Sequence, residues 1–155
     1  MTQTLYIMRH GDAVPMAPKD SERSLSEFGK QQVASAAKHL EGIEISRCVV
    51  SPYLRAQQTA NIVIQSSNQA IEIETESKIT PDDSPSGVVS LLERYMGGGD
   101  VLMVSHQPLV SAVSGLLLKG AAIEGVPFGT GTIAALEFED FGLGLATLKW
   151  LKHTQ

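Results

Sequence analysis

Two arginines and two histidines stand just past short apolar runs in this chain, where they can hold and attack a phosphoryl group. Arg9-His10-Gly11 follows Leu5-Tyr6-Ile7-Met8, Arg55 lies in the segment from Ser51 to Ala60, and His106 follows Val104-Ser105. A guanidinium fork holds tetrahedral oxyanions through paired, charged hydrogen bonds, so two arginines aimed at one place suit phosphate. An imidazole in the same place becomes a nucleophile when a backbone carbonyl keeps one nitrogen protonated and leaves a fixed lone pair on the other. His10 is the expected nucleophile, with His106 as second choice. In this scheme His10 attacks phosphorus in line, water hydrolyses the resulting phosphohistidine, and Arg9, Arg55 and His106 hold the equatorial oxygens. The scheme requires no metal or other cofactor, and the chain carries neither the ligand spacing of a zinc site nor the Gly-Lys pattern of a nucleotide phosphate loop.

The elements that must position these residues are legible from periodicity and punctuation. Leu5 to Met8 reads as a buried strand, followed by a loop through Gly11, Asp12, Pro15 and Pro18. Ser26 reads as the N-cap of a helix whose inner face is Gly29, Val33, Ala36, Ala37 and Leu40, ended by Gly42. Cys48 to Ser51 reads as a strand, with Ser51 as N-cap and Pro52 as first residue of the next helix, which puts Arg55 in its first turn. Ile71, Ile73 and Thr75 alternate as a third strand. Val88 to Tyr95 forms a helix stopped by Gly97-Gly98-Gly99, and the strand from Val101 to Val104 then delivers His106. Thr132 to Phe138 and Ala146 to Leu151 read as a hairpin on the sheet edge. Strands alternating with helices imply a three-layer α/β/α sandwich with a mostly parallel mixed sheet and at least one antiparallel edge strand. In such sheets ligands bind at the carboxyl ends of strands, where the three motifs lie.

Bulk properties narrow the partners. At 155 residues the chain is expected to be a single domain, residues 1–155, with room for a real core. A net charge of -5 argues against a protein devoted to the nucleic-acid backbone. Cys48 is the only cysteine, so an internal disulfide is ruled out and a buried structural thiol in a reducing compartment is expected. Residues 1 to 8 lack the features of a secretory signal, and the apolar stretch from Val110 to Ile123 is interrupted too often to cross a bilayer. A cytoplasmic, monomeric protein with no membrane or nucleic-acid partner is the expectation.

The motifs, taken in order, resemble the histidine phosphatase (phosphoglycerate mutase-like) superfamily. More narrowly, Met8-Arg9-His10-Gly11-Asp12-Ala13, Val50-Ser51-Pro52-Tyr53-Leu54-Arg55-Ala56 and Ser105-His106-Gln107-Pro108-Leu109-Val110 are similar to SixA-type phosphohistidine phosphatases, small members of that superfamily without a lid domain. The resemblance implies a phosphohistidine phosphatase acting on a protein partner, typically a histidine phosphotransfer domain of a phosphorelay, with His10 as nucleophile and Arg9, Arg55 and His106 as the phosphate pocket. Many superfamily members that cleave phosphate esters carry a glutamate acid after the third strand. Here that stretch is Lys78-Ile79-Thr80-Pro81-Asp82-Asp83, with no such glutamate. An imidazole leaving group, with a pKa of about 6.5, needs far less acid assistance than an alkoxide, so the absence favours P–N cleavage.

Competing readings remain at this stage. A phosphomonoesterase for a small phosphorylated metabolite gains if Asp82 or Asp83 folds inward as the acid, and a phosphate-recognising module without turnover is the non-enzyme alternative. Arg23 is a candidate substrate-binding residue at the pocket rim, against the reading of a solvated loop charge. Asp12 reads as a turn residue in preference to an acid or base. His39 and His153 read as ordinary solvent-exposed residues, and Met96 and Met103 as core filler.

Overall fold

A computed structural model describes residues 2–154. Its centre is a six-stranded sheet built from β1 (Gln3–Arg9), β2 (Arg47–Val50), β3 (Glu72–Thr75), β4 (Val101–Ser105), β5 (Ile133–Phe138) and β6 (Thr147–Lys152), in the order β3-β2-β4-β1-β5-β6. The β1–β4, β2–β4 and β2–β3 pairings are parallel, whereas β5 runs antiparallel to both β1 and β6. The expected mixed, mostly parallel sheet is therefore present with one correction. The reversed strand is β5, second from the edge, because the closing hairpin folds β6 back outside it.

Period-two alternation in the central strands sorts the core into two layers. Leu5, Ile7, Val49, Val101 and Met103 face the layer of α3 (Pro85–Glu93) and α4 (Leu109–Lys119). Tyr6, Met8, Cys48, Val50, Leu102 and Val104 face α1 (Glu27–Ala37) and α2 (Leu54–Ser67). Strands buried on both faces explain their near-continuous apolar runs. Cys48 is fully buried, and burial pushes its thiol up to about 12.

Helix ends follow local chemistry with one exception that bears on the site. Ser26 Oγ accepts the Gly29 N–H at 2.9 Å, as the N-cap reading of α1 requires. Ser51 does not cap α2. Its Oγ accepts the N–H of Tyr53, two residues on, at 3.2 Å, closing a local turn, and the helix starts at Leu54 with Tyr53 as an N-cap that contributes no side-chain bond. The region that reads from sequence only as an interrupted apolar stretch forms α4, over Leu109–Lys119. Leu109, Val110, Val113 and Leu117 are buried, and Leu116 and Leu118 are packed against the same core. Among the described residues, no helix is long and apolar enough to cross a membrane.

Candidate active site

The carboxyl ends of β1, β2 and β4 converge, and each supplies part of one constellation. His10 directly follows β1. Its backbone N–H donates to Ser105 O at 3.1 Å, while Gly131 N–H reaches the carbonyls of Arg9 and His10 at 3.1 and 3.0 Å. The nucleophile candidate is thus held by β4 on one side and by the turn entering β5 on the other.

The loop behind His10 is fixed by close packing. Gly11 N–H donates to Thr59 Oγ1 at 3.2 Å, and that hydroxyl donates to Arg55 O at 2.7 Å, tying the loop to α2. On the other side, α1 presses its backbone against Asp12. A Cβ on Gly29 would lie 2.0 Å from the Asp12 carbonyl oxygen, so this approach requires glycine. Asp12 itself takes Ser26 Oγ–H on Oδ2 at 2.6 Å and gives its N–H to Gln32 Oε1 at 2.9 Å. These bonds make it the turn residue anticipated from sequence.

His10 is 6% exposed, and its Nδ1 sits 2.7 Å from the Gly11 carbonyl oxygen. A carbonyl can only accept, so Nδ1 carries the proton and the lone pair is on Nε2. That atom receives the Arg55 Nε–H at 3.3 Å. Burial, opposed by the Gly11 carbonyl but reinforced by Arg55, Arg9 and Arg23, pulls the His10 pKa down to about 4. The ring is therefore neutral and nucleophilic at neutral pH.

Arg55 is 5% exposed and is held end-on by a residue that periodicity and motif did not flag. Asp20 accepts Arg55 Nη1 on its backbone oxygen at 2.7 Å and Nη2 on Oδ2 at 3.1 Å. With the outer end of the fork occupied, the inner edge with Nε turns onto His10. Asp20 also takes Arg23 Nη1 on Oδ1 at 3.2 Å, and Arg23 Nε donates to Val14 O at 3.0 Å. Arg23 is therefore linked to Arg55 through a shared carboxylate. The spacing of Asp20 and Arg23, three apart before Ser26, was the available signal.

His106 faces His10 with ring centroids 5.0 Å apart, and Tyr53 packs edge-on against it at 4.9 Å. The Arg55 guanidinium lies over the Tyr53 ring at 5.0 Å, so the aromatic side chain buttresses both groups. His106 Nε2 lies 2.7 Å from Ser51 Oγ. Burial first, then His10, Arg55 and Arg9, drive the His106 pKa down to about 2. Arg9 donates through Nη1 to Phe128 O at 2.9 Å. Arg9 Nε and His106 Nδ1 are the two buried side-chain nitrogens among the described residues with no hydrogen-bond partner in the protein.

Neither Asp82 nor Asp83, in the loop after β3, makes a hydrogen bond or ion pair with this constellation. Asp83 Oδ2 takes the Thr80 N–H at 2.8 Å and its hydroxyl at 2.7 Å, and Asp82 is exposed. His153 Nδ1 pairs with Thr132 Oγ1 at 3.1 Å, and exposed His39 lies 6.4 Å from the Trp150 ring, so neither belongs to the cluster. Among the described residues no three His, Cys, Asp or Glu side chains gather as a metal site would require.

The chain has counterparts among known proteins. Residues 5–79 match the family model described as Histidine phosphatase superfamily (branch 1). The phosphohistidine phosphatase SixA of Escherichia coli (strain K12) is 34% identical over 94% of this chain and 91% of its own length. A SixA homolog of Haemophilus influenzae is 38% identical over 70% of this chain and 73% of its own. A structure of the protein histidine phosphatase SixA complexed with tungstate superposes with a TM-score of 0.88 at 33% identity, covering 97% of each chain. With a SixA relative 34% identical over 94% of this chain, a matching family model and a superposable sheet, the chain belongs to the histidine phosphatase superfamily.

Proposed function

We propose that this protein is a phosphohistidine phosphatase that removes the phosphoryl group from a histidine of a partner protein, a histidine phosphotransfer domain being the expected class. The observation that carries the reading is the His10 ring, with Nδ1 on the Gly11 carbonyl and a bare Nε2 facing Arg55. The similarity to SixA proteins supports the choice of substrate.

The chemistry balances without a general acid. His10 Nε2 attacks phosphorus as the P–N bond of the substrate breaks, and a substrate imidazole protonated on its other nitrogen leaves as neutral imidazole. His10 keeps its Nδ1 proton against Gly11 throughout. Water then attacks phosphorus, the P–N bond to His10 breaks, and inorganic phosphate departs with the water oxygen while the surplus proton passes to solvent. Arg9, Arg55 and His106 stabilise the equatorial oxygens, and Arg23 meets the substrate at the rim. These cationic and donor groups supply the electrostatic stabilisation that a magnesium ion supplies in other phosphoryl transfers, so the scheme calls on no cofactor. Asp83 is committed to its own turn with Thr80, which argues against an ester phosphatase relying on an acid there.

Phosphate release from a phosphohistidine-bearing protein, measured beside release from a simple phosphate ester with and without chelator, tests this reading. The expected result is strong preference for the phosphoramidate and indifference to chelator. Preference for the ester overturns the substrate assignment, and chelator sensitivity overturns the metal-independent scheme.

A further inference from the structure

Ser51 is fully buried, one residue past β2, and its hydroxyl touches two nitrogens. The Tyr53 backbone N–H can only donate, so at 3.2 Å it occupies a lone pair of Oγ. The second nitrogen is His106 Nε2 at 2.7 Å, and the direction of that bond decides what His106 presents to the pocket. If Nε2 carried the proton, Oγ would receive two N–H groups and its own hydrogen would be left without an acceptor in the protein. Nδ1 would then turn a lone pair toward the place where phosphoryl oxygens, themselves acceptors, must lie. If the hydroxyl donates to Nε2, every hydrogen at Ser51 is used. Nδ1, buried and with no partner in the protein, then carries an N–H.

We infer that Ser51 is a positioning residue that acts through His106: its hydroxyl donates to Nε2, fixes the Nδ1–H tautomer, and so makes His106 a neutral hydrogen-bond donor to a phosphoryl oxygen. The inference rests on the phosphatase reading of this pocket. The two histidines then carry their proton on the same ring nitrogen for opposite ends. In His10 the Nδ1–H is spent on a backbone carbonyl so that Nε2 can attack, whereas in His106 Nε2 is spent on a hydroxyl so that Nδ1–H can donate. The strong bias of His106 toward its neutral form, caused mainly by burial, leaves tautomer choice as the variable that Ser51 controls.

The test is the nitrogen NMR spectrum of the full chain labelled at histidine, with the His106 signals identified by their loss in His106→Gln. Chemical shifts separate a protonated ring nitrogen from a bare one. The expected spectrum at neutral pH has His106 Nδ1 protonated and Nε2 bare. In Ser51→Ala the two tautomers should mix and KM for a phosphohistidine-bearing protein should rise about tenfold, the effect of one lost neutral hydrogen bond, with His10 still labelled by substrate phosphate. The opposite tautomer or a doubly protonated ring in the unsubstituted chain overturns the inference. So does a Ser51→Ala protein whose His106 signals and KM are unchanged. Should Ser51→Ala fail to fold, the spectrum of the unsubstituted chain decides alone. A protein with the expected spectrum but no phosphohistidine turnover would overturn the phosphatase reading while upholding the Ser51–His106 bond.

Discussion

Arg55 Nε–H points at His10 Nε2 from 3.3 Å, so the cation that would neutralise a transferring phosphoryl group rests against the lone pair that would attack it. This pairing holds the nucleophile neutral and aimed before substrate arrives. It also makes the two side chains separable by substitution.

His10→Ala should lose phosphoenzyme formation entirely and reduce turnover by at least about 10³-fold, the scale on which nucleophiles matter in covalent catalysis. Labelling with substrate phosphate and single-turnover kinetics measure both. Normal labelling of the variant would reject His10 as the nucleophile.

Arg55→Lys keeps the charge but gives up the fork that grips Asp20 and the Nε–H that meets His10. A loss of about 10² to 10³ in kcat is expected, the range for removing one transition-state donor. Asp20→Ala should act more gently, lowering kcat/KM about tenfold by releasing Arg55 Nη2 while the backbone oxygen of residue 20 keeps Nη1. Stability should change by no more than about 1 kcal/mol, because the Asp20 side chain is 55% exposed and such pairs are well screened. Steady-state kinetics beside urea denaturation separate the two effects.

Acid should destabilise the fold through its buried histidines. In the unfolded chain both rings protonate as pH falls below about 6.5. In the folded chain His10 stays neutral to about 4 and His106 to about 2. The unfolded state therefore binds more protons across that interval, and stability falls with decreasing pH by up to about 1.4 kcal/mol per pH unit for each histidine. The loss due to His10 begins near its unfolded value and is complete below its folded one. Urea midpoints measured from pH 7 to pH 5 should fall, and the slope should be shallower in His10→Ala. A flat profile would contradict the burial of both rings.

Two glycines in helices should respond oppositely to alanine. At Gly29 the new Cβ would meet the Asp12 carbonyl at 2.0 Å, forcing α1 away from the loop behind His10. A loss of roughly 1–3 kcal/mol with reduced activity is expected. At Gly87 the nearest atom is 3.7 Å away, so Gly87→Ala should be neutral or stabilise by up to about 1 kcal/mol through helix propensity. Thermal melts of the pair give the comparison.

The strands and the inner face of α1 were legible because they rest on short-range periodicity, and Ser26 because a cap is a local bond. Convergence of Arg9, His10, Arg55 and His106 at strand ends was legible for a related reason: parallel crossovers put those ends at one edge. Ser51 reads from sequence as a cap, whereas its hydroxyl bonds His106, 55 positions away, a contact that local chemistry does not encode. Asp20 was hidden because its role depends on a loop folding over α2, which no periodicity encodes. Helix α4 is obscured because its residues are mostly apolar, so the segment reads first as an interrupted hydrophobic run.

The reversal of β5 has a consequence for the shape of the pocket. Because β5 runs against β1, it begins where β1 and β4 end, and the chain arriving at its first residue must pass the pocket mouth. That incoming segment brings the Phe128 carbonyl to Arg9 and the Gly131 N–H to the carbonyls of Arg9 and His10. A parallel strand at this position would have ended there and led the chain away. One inverted strand thus brings a backbone acceptor and a backbone donor to the residues at the end of β1, so strand polarity itself helps to fix Arg9 and His10.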